Sequence, residues 1–254
     1  MNVYFQGMLW VLGAAAVAAA IAYFLRHVGE TEGTVENNES AGQVFTIVGG
    51  LHAVLLAFVL ISLFDGTTAA EEGSYREADS VVAASWAADA LPEPTRTEVR
   101  DLAARYAQEV ADVEWPMMAT GNGEVGDKGW ELLDELRAAI REAQTGDDFQ
   151  NDQKNLASDK LWEAYEARQQ RLNTAGGDGV TDVVWFALVL GSVMTISLAL
   201  LFGGPQPLVH IIIVGILAGL LSLLLFATYQ LQNPFAGAAK VEPAAFEAVL
   251  ARLR

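Results

Sequence analysis

Four ionisable residues stand where they could act on a charged species. His52 lies in the middle of a long apolar stretch, and the carboxylates of Asp65, Glu71 and Glu72 follow soon after that stretch ends. An ionisable side chain inside an apolar span is a candidate functional group, and carboxylates repeated around a symmetric ring concentrate cations. Two alternatives stay open. His52 can be a neutral imidazole bonded to a neighbouring backbone carbonyl, and the carboxylates can form a solvated helix face.

The apolar stretch around His52 has two distinct faces when it is read as a helix. One face consists of small residues, at Thr46, Gly49, Gly50, Ala53 and Ala57. The other face carries His52, Leu55, Val59 and Ser62. Small faces let neighbouring helices approach closely, so we expect the small face to pack and the other to line a mostly apolar pore or gate, which closes by dewetting. In the alternative, Leu55 and Val59 contact lipid or packed helices.

These residues belong to a chain with four apolar stretches, at 8–25, 43–64, 180–202 and 207–231. A bilayer core of about 30 Å requires roughly 20 apolar helical residues. Each stretch is near or above that length, and Asp182 is the only Asp, Glu, Lys or Arg within them. The sequence therefore predicts an all-α integral membrane protein with four transmembrane helices and a helical, water-facing domain between the second and the third.

Charged and apolar residues are segregated along the chain. It contains 52% hydrophobic residues with a mean hydropathy of +0.28, yet its net charge is −17. Residues 65–182 hold 26 acidic and 11 basic residues, a balance of −15. This charge argues against a nucleic-acid partner, which requires a basic surface. The absence of cysteine excludes disulfides and thiolate chemistry.

The distribution of Lys and Arg predicts the orientation of the spans. Four crossings place both termini and the central domain on one face of the membrane, and Arg26 is the only Lys or Arg in the two short connections on the other face. The positive-inside rule then assigns the domain and both termini to the cytoplasm. Residues 1–7 resemble a tag remnant before a natural start at Met8. The predicted organisation is spans one and two in 8–64, the cytoplasmic domain in 65–179, spans three and four in 180–231, and a cytoplasmic tail with a short helix in 232–254.

The cytoplasmic segment is expected to be helical, because none of it alternates with a period of two. The helix that continues from span two ends at residues 91–94, where two prolines restrict the backbone. A second helix ends at Glu114-Trp115-Pro116, and two more are predicted at 128–144 and 149–173. In the Glu114-Trp115-Pro116 motif, we expect the tryptophan to fill a gap and the glutamate to pair with Arg100, Arg105 or Arg168.

The Glu114-Trp115-Pro116 motif and its surroundings resemble the bacterial bestrophin-like family of four-span membrane proteins. Other matching residues, in order and spacing, are Phe64-Asp65, Glu77-Ala78, Tyr106, Arg168, Arg171, the turn Pro234-Phe235-Ala236-Gly237 and Phe246. The resemblance implies structural roles for Glu114, Trp115, Pro116, Pro234, Phe235 and Gly237. More distantly, the layout is similar to that of bestrophins, which are oligomeric channels with four spans per subunit and a pore lined by the second span.

The resemblance implies a homo-oligomer, expected to be a pentamer in the bacterial cytoplasmic membrane, that passes small monovalent ions through a pore lined by span two. The bestrophin resemblance favours anions, whereas the −15 balance of residues 65–182 favours cations, which we prefer. The alternative is a non-conducting membrane scaffold that recruits a cytoplasmic partner. The expected partners of the protein are the lipid bilayer, copies of itself and small inorganic ions. The three histidines lack ligand spacing, so no metal, cofactor or enzymatic activity is expected.

Overall fold

A computed structural model describes residues 3–29, 38–120, 125–177, 179–201 and 207–253, and every regular element in them is helical. The elements are α1 (Val3–Gly29), α2 (Asn38–Ala88), α3 (Thr95–Glu109), a π-helical turn (Val110–Glu114), α4 (Trp115–Ala119), α5 (Lys128–Glu142), α6 (Asp148–Ala175), α7 (Asp182–Leu200), α8 (Pro207–Leu231) and α9 (Ala244–Leu253). The predicted all-α fold is confirmed.

Four of these helices are long and apolar enough to cross a membrane, at Val3–Leu25, Gly42–Ala88, Asp182–Leu200 and Leu208–Leu231. At a rise of about 1.5 Å per residue, a helix of about 20 residues matches the hydrocarbon thickness. A helix also satisfies its own backbone hydrogen bonds, which lipid cannot do. The spans therefore fall where apolar length predicts them, and α2 continues well beyond its apolar part.

The chain forms two compact units, which are described separately. Unit 1 comprises Met1–Phe64 and Asp178–Gln232, and unit 2 comprises Asp65–Gly177 and Asn233–Arg254. In unit 1, α1 packs along α8 through small residues. A Cβ at Gly219 would lie 3.4 Å from Val11 Cγ1, and one at Gly215 would lie 3.6 Å from the Ala15 carbonyl oxygen. This spacing is the small-residue packing that brings membrane helices together.

Unit 2 contains the larger core, which is built from the later part of α2 together with α3, α5, α6 and α9. Its fully buried apolar side chains include Val99, Leu133, Ile140, Leu161 and Phe246. They recur at helical spacing on their elements, as expected of amphipathic helices that share one core. The helices predicted at 128–144 and 149–173 are α5 and α6, with ends that differ from the prediction by at most two residues.

The structure corrects the prediction that Glu114-Trp115-Pro116 ends a helix. The chain stays helical through the π-helical turn and continues as α4 to Ala119. Pro116 is the second residue of α4, a first-turn position where a missing N–H costs little. The local widening to a π-helical turn is what allows the proline to follow without a break, because a new α-helical register begins there.

Candidate functional site

In unit 1, His52 lies inside the helix bundle and not on an open surface. The His52 side chain is 6% exposed, and its Nε2 is 2.9 Å from the Ser192 Oγ of α7. Gly191 makes this close approach possible, because a Cβ at that position would overlap the imidazole at 2.8 Å from Cε1 and 3.0 Å from Cγ. The structure therefore favours the alternative of a bonded, packed histidine, with a side-chain hydroxyl in place of the expected backbone carbonyl.

Two neighbours of His52 on the predicted pore face also pack within unit 1. Leu55 and Val59 are partly buried against the cluster of Leu56, Leu188 and Leu221, which joins α2 to α7 and α8. Ser62 is exposed. Pore lining by this face stays a prediction, but the protomer turns most of it towards its own helices. The sequence does not decide which face packs, because almost every residue in the stretch is apolar and the choice depends on contacts with α7 and α8.

A different side of α2 is exposed in the single chain. Six large apolar residues at alternating spacings of three and four are each at least 47% exposed: Val44, Ile47, Leu51, Val54, Phe58 and Ile61. We call this set the α2 stripe. The small residues Thr46, Gly50, Ala53 and Ala57 lie beside it and are also exposed. A seven-residue repeat of this kind is the pattern by which helices pack against copies of themselves.

The predicted acidic residues lie in the part of α2 that belongs to unit 2. Asp65, Glu71 and Glu72 are exposed. Farther along, Asp79 is exposed and pairs with Arg252 of α9 at 3.2 Å. Among the described residues, no three His, Asp or Glu side chains converge as metal ligands would. The carboxylates of Asp65, Glu71 and Glu72 are thus exposed charges, and their role at a pore mouth stays a prediction.

Glu77, in contrast, is fully buried and belongs to a network of charges in the centre of unit 2. Arg168 donates from Nη1 and Nη2 to the two Glu114 carboxylate oxygens at 2.8 and 2.7 Å. Arg171 donates from Nε and Nη2 to Glu77 at 2.8 and 3.0 Å, and from Nη2 to Glu114 at 2.9 Å. The Tyr106 hydroxyl donates to Glu77. We call these five residues the ion network.

The ion network is electrically balanced, because two carboxylates face two guanidinium groups. Burial alone would raise the pKa of Glu114, but its hydrogen bonds from Arg168 and its attraction to Arg171 outweigh burial and hold that pKa below the usual range. The pKa of Arg171 is raised, because attraction to Glu77 exceeds the penalty of burial. Burial, reinforced by Glu77, raises the pKa of Tyr106. Glu114 and Arg171 therefore stay ionised at neutral pH.

Aromatic side chains enclose the ion network and connect it to the tail. Trp115 is 5.3 Å from Phe235 and 5.9 Å from Phe246 between ring centroids, and its Nε1 donates to the Val241 carbonyl at 3.0 Å. The Arg168 Cζ lies 4.6 Å from the Trp130 ring centroid. The Nε of the same guanidinium is buried and has no hydrogen-bond partner among the described residues.

The turn after α8 brings the tail back to this aromatic shell. The Asn233 side chain accepts a bond from the Phe235 N–H at 2.9 Å, and the Pro234 carbonyl accepts one from the Val241 N–H at 2.8 Å. Gly237 has a φ of 78°, a backbone conformation that favours glycine. Phe235 is fully buried as a result. This turn therefore holds the Phe235 ring against Trp115.

Two local features admit the ion network into a helical core. The π-helical turn ends at Glu114, so the altered register sets the direction of that carboxylate. On the facing helix α5, Gly129 leaves room for it, because a Cβ there would overlap the Glu114 Oε1 and the Arg168 Nη2 and lie 2.7 Å from the Arg168 Cζ. A larger residue at position 129 is therefore incompatible with the salt bridge as it stands.

Comparison with known proteins identifies the family of this chain. The profile of the Bestrophin-like domain matches residues 12–246. The chain belongs to the bestrophin-like family. The fold of this bestrophin-like protein is similar to that of a mutant bacterial bestrophin homologue from Klebsiella pneumoniae, with a TM-score of 0.71 and 13% identity over 100% of this chain and 98% of that chain. A second crystal structure, of a membrane protein, gives a TM-score of 0.69 and 14% identity over 99% of this chain and 97% of that chain. No curated protein sequence matches.

The sequence identifies the members of the ion network but not their arrangement. Arg168 was one of three candidate partners for Glu114, and the structure selects it. The pairing of Glu77 with Arg171, 94 positions apart, was missed. The available signal was an apolar helical pattern interrupted by Glu77 on α2 and by Arg168 and Arg171 on α6. Charged residues on the buried faces of two helices must find each other.

We predict that Glu114→Gln lowers the free energy of unfolding of unit 2 by about 3–5 kcal/mol, because it leaves two buried guanidinium groups with one carboxylate. Thermal unfolding in detergent, followed by tryptophan fluorescence, measures the change. Glu142→Gln is the control, because Glu142 is exposed and its pair with Arg141 is solvated. The double variant with Arg168→Gln should lose less than the sum of the single variants. Equal stability of Glu114→Gln and wild type would contradict the argument.

Gly129→Ala should also destabilise unit 2, by about 1–3 kcal/mol, because the added methyl displaces the Glu114–Arg168 pair. Alanine is otherwise the better helix former by about 1 kcal/mol, so a loss of stability would isolate the steric effect. Gly73→Ala is the matched control in α2, where a Cβ would meet nothing within 4 Å. The same fluorescence measurement applies, and a stabilised Gly129→Ala would refute the proposed close approach.

Proposed function

We propose that this protein is a homo-oligomeric ion channel that conducts small monovalent ions through a central pore lined by α2. The observation that carries the proposal is the α2 stripe, which is long, regular and open in the protomer. Membership of the bestrophin-like family and a fold similar to a bacterial bestrophin homologue support it. Because His52 is packed against α7 inside unit 1, the α2 stripe is a better candidate for the pore lining than the face that carries His52.

Symmetry gives the stripe and its small neighbours separate roles. If copies of α2 surround an axis, Gly50, Ala53 and Ala57 allow the adjacent copies to approach closely. The stripe then points inwards, and Val54, Phe58 and Ile61 form successive apolar rings. Rings of this kind bar ions by dewetting when narrow and admit them when wider. The gate in this proposal is therefore a hydrophobic constriction with no charged plug.

The carboxylates after the stripe favour cations. Asp65 is four residues beyond Ile61 and exposed, and Glu71 and Glu72 follow on the same helix. Repeated around a ring, these charges attract cations and repel anions at the pore mouth. The proposed orientation places this mouth, both termini and unit 2 in the cytoplasm of a bacterial cell, with a pentamer as the expected assembly.

One observation favours a second candidate function, a non-conducting membrane scaffold. All six residues of the α2 stripe are large and apolar, so copies of the stripe can also interlock and close the axis. Unit 2 would then be an anchored domain that recruits a cytoplasmic partner. Conductance separates the two functions, because a closed axis passes no ion under any condition.

The channel predicts ion flux from liposomes that contain the purified protein, and a several-fold increase in flux with Phe58→Ala, because truncation widens and wets an apolar ring. Phe186→Ala is the matched control, since Phe186 of α7 is 68% exposed against 67% for Phe58 but lies outside the proposed pore. The assembly should have a mass several times the chain mass of 27.2 kDa. A monomer, or silence in both potassium and chloride gradients, would support the scaffold.

Asp65→Asn should lower the ratio of potassium to chloride permeability by a few fold, because it removes one carboxylate per subunit from the pore mouth. Reversal potentials in asymmetric potassium chloride across a planar bilayer measure the ratio. Asp101→Asn on α3 removes the same charge from an exposed position away from α2 and should leave the ratio unchanged. Identical ratios in both variants and wild type would remove Asp65 from the selectivity argument.

A further inference from the structure

His52 occupies an unusual position for an ionisable group. It is near the midpoint of the apolar stretch 43–64 and points to the opposite side of α2 from the α2 stripe. Its bond to Ser192 is the polar contact that the structure describes between α2 and α7. Nearby, a Cβ at Gly49 would lie 3.8 Å from the Thr195 Cγ2, so the same two helices also touch one turn away.

No charged group faces His52 from the elements packed around it, within the part of the chain that the structure describes. From α7 it meets Gly191 and Ser192. The acidic residue of α7, Asp182, is ten positions before Ser192, about 15 Å along the helix axis. The titratable residues of α1 and α8 lie towards helix ends: Tyr4, Tyr23, Arg26 and His27 on α1, and His210 and Tyr229 on α8. On α2 itself, the nearest in sequence are Glu39 and Asp65, each 13 positions from His52, about 20 Å along the helix axis.

Such a site accepts a neutral imidazole and opposes a charged one. A neutral imidazole and a hydroxyl can each donate or accept, so the His52–Ser192 bond forms with either tautomer. A protonated ring would be a buried cation without a counter-charge, and burying an unpaired charge is strongly unfavourable. The ring is 6% exposed and lies against Gly191, so little of its surface is open to solvation. Protonation must therefore loosen the contact or push the ring towards water.

We propose that His52 is a proton-sensitive joint between α2 and α7, and that acid releases α2 from α7. While the imidazole is neutral, it holds α2 against α7; as the pH falls and the ring is protonated, that contact weakens. His52 is a positioning residue, since it acts on the α2 stripe through the packing of α2. The consequence for conduction rests on the proposed channel function, whereas the release of the helix does not.

The first test measures the joint without any ion flux. Thermal unfolding in detergent is compared at about pH 7.5 and about pH 5, on either side of the ordinary histidine range. We expect acid to lower the unfolding temperature of wild type by about 3 °C or more beyond its effect on His52→Gln, which keeps a neutral hydrogen-bonding amide. His210→Gln is the matched control and should respond as wild type. An equal acid response in wild type and His52→Gln would overturn the proposal.

A second measurement locates the change at the α2–α7 contact. The chain has no cysteine, so within one copy the pair Gly49→Cys with Thr195→Cys forms a disulfide only between these two helices, and the intramolecular product is the one scored. Oxidation rates in membranes at each pH are divided by those of the same pair in the His52→Gln background, which cancels thiol ionisation. We expect this ratio to fall several-fold in acid. A ratio independent of pH would show that α2 stays against α7, and the proposal would fail.

Flux from liposomes completes the test and separates the two proposals. Acid should change the flux of wild type and of His210→Gln several-fold and leave no such change in His52→Gln. Helix release without flux under any condition would sustain the joint and refute the channel. A flux that responds to acid equally in wild type and His52→Gln would sustain the channel and refute the joint.

Discussion

The buried ion network is the constraint on which unit 2 depends. Two glutamates and two arginines lie in the core with almost no exposure, and removal of any one leaves a charge without its partner. Such networks add less net stability than their bonds suggest, because four ions must first be desolvated. Their strength is specificity. Glu77, Glu114 and the two arginines come from three separate stretches of chain, so the network ties these stretches to one another.

Several features of unit 2 are explained by this requirement. The π-helical turn ends at Glu114, glycine stands at position 129, and an aromatic shell around Trp115 excludes water. The tail joins through Phe246, whose ring lies 5.6 Å from the Arg171 Cζ. A balanced interior also fits the strongly acidic surface. Because the network is neutral within itself, the excess negative charge of residues 65–182 can stay in solvent, where water screens it.

The parts that sequence predicts well are those decided by local composition. The four spans follow from apolar length, and α5 and α6 follow from helical periodicity, so their ends agree to within two residues. Contacts with α7 and α8 decide which face of α2 packs inside the bundle. These contacts cannot be predicted from the sequence of a helix that is apolar on nearly all sides. His52 and Gly191 fit together although they are far apart in sequence. Likewise, the pairing of Glu77 with Arg171 depends on tertiary packing, which periodicity cannot supply.

Helix α2 is the one described element shared by the two units, and it is held differently in each. In unit 2, Glu77 accepts charge-assisted bonds from Arg171 in a site closed to water. In unit 1, apolar packing and the hydrogen bond between His52 and Ser192 hold it, and helix packing in lipid lacks the hydrophobic driving force that acts in water. Local opening follows the weakest contacts. A rearrangement of α2 should therefore begin among the spans, around His52, before the contacts of Glu77 are disturbed.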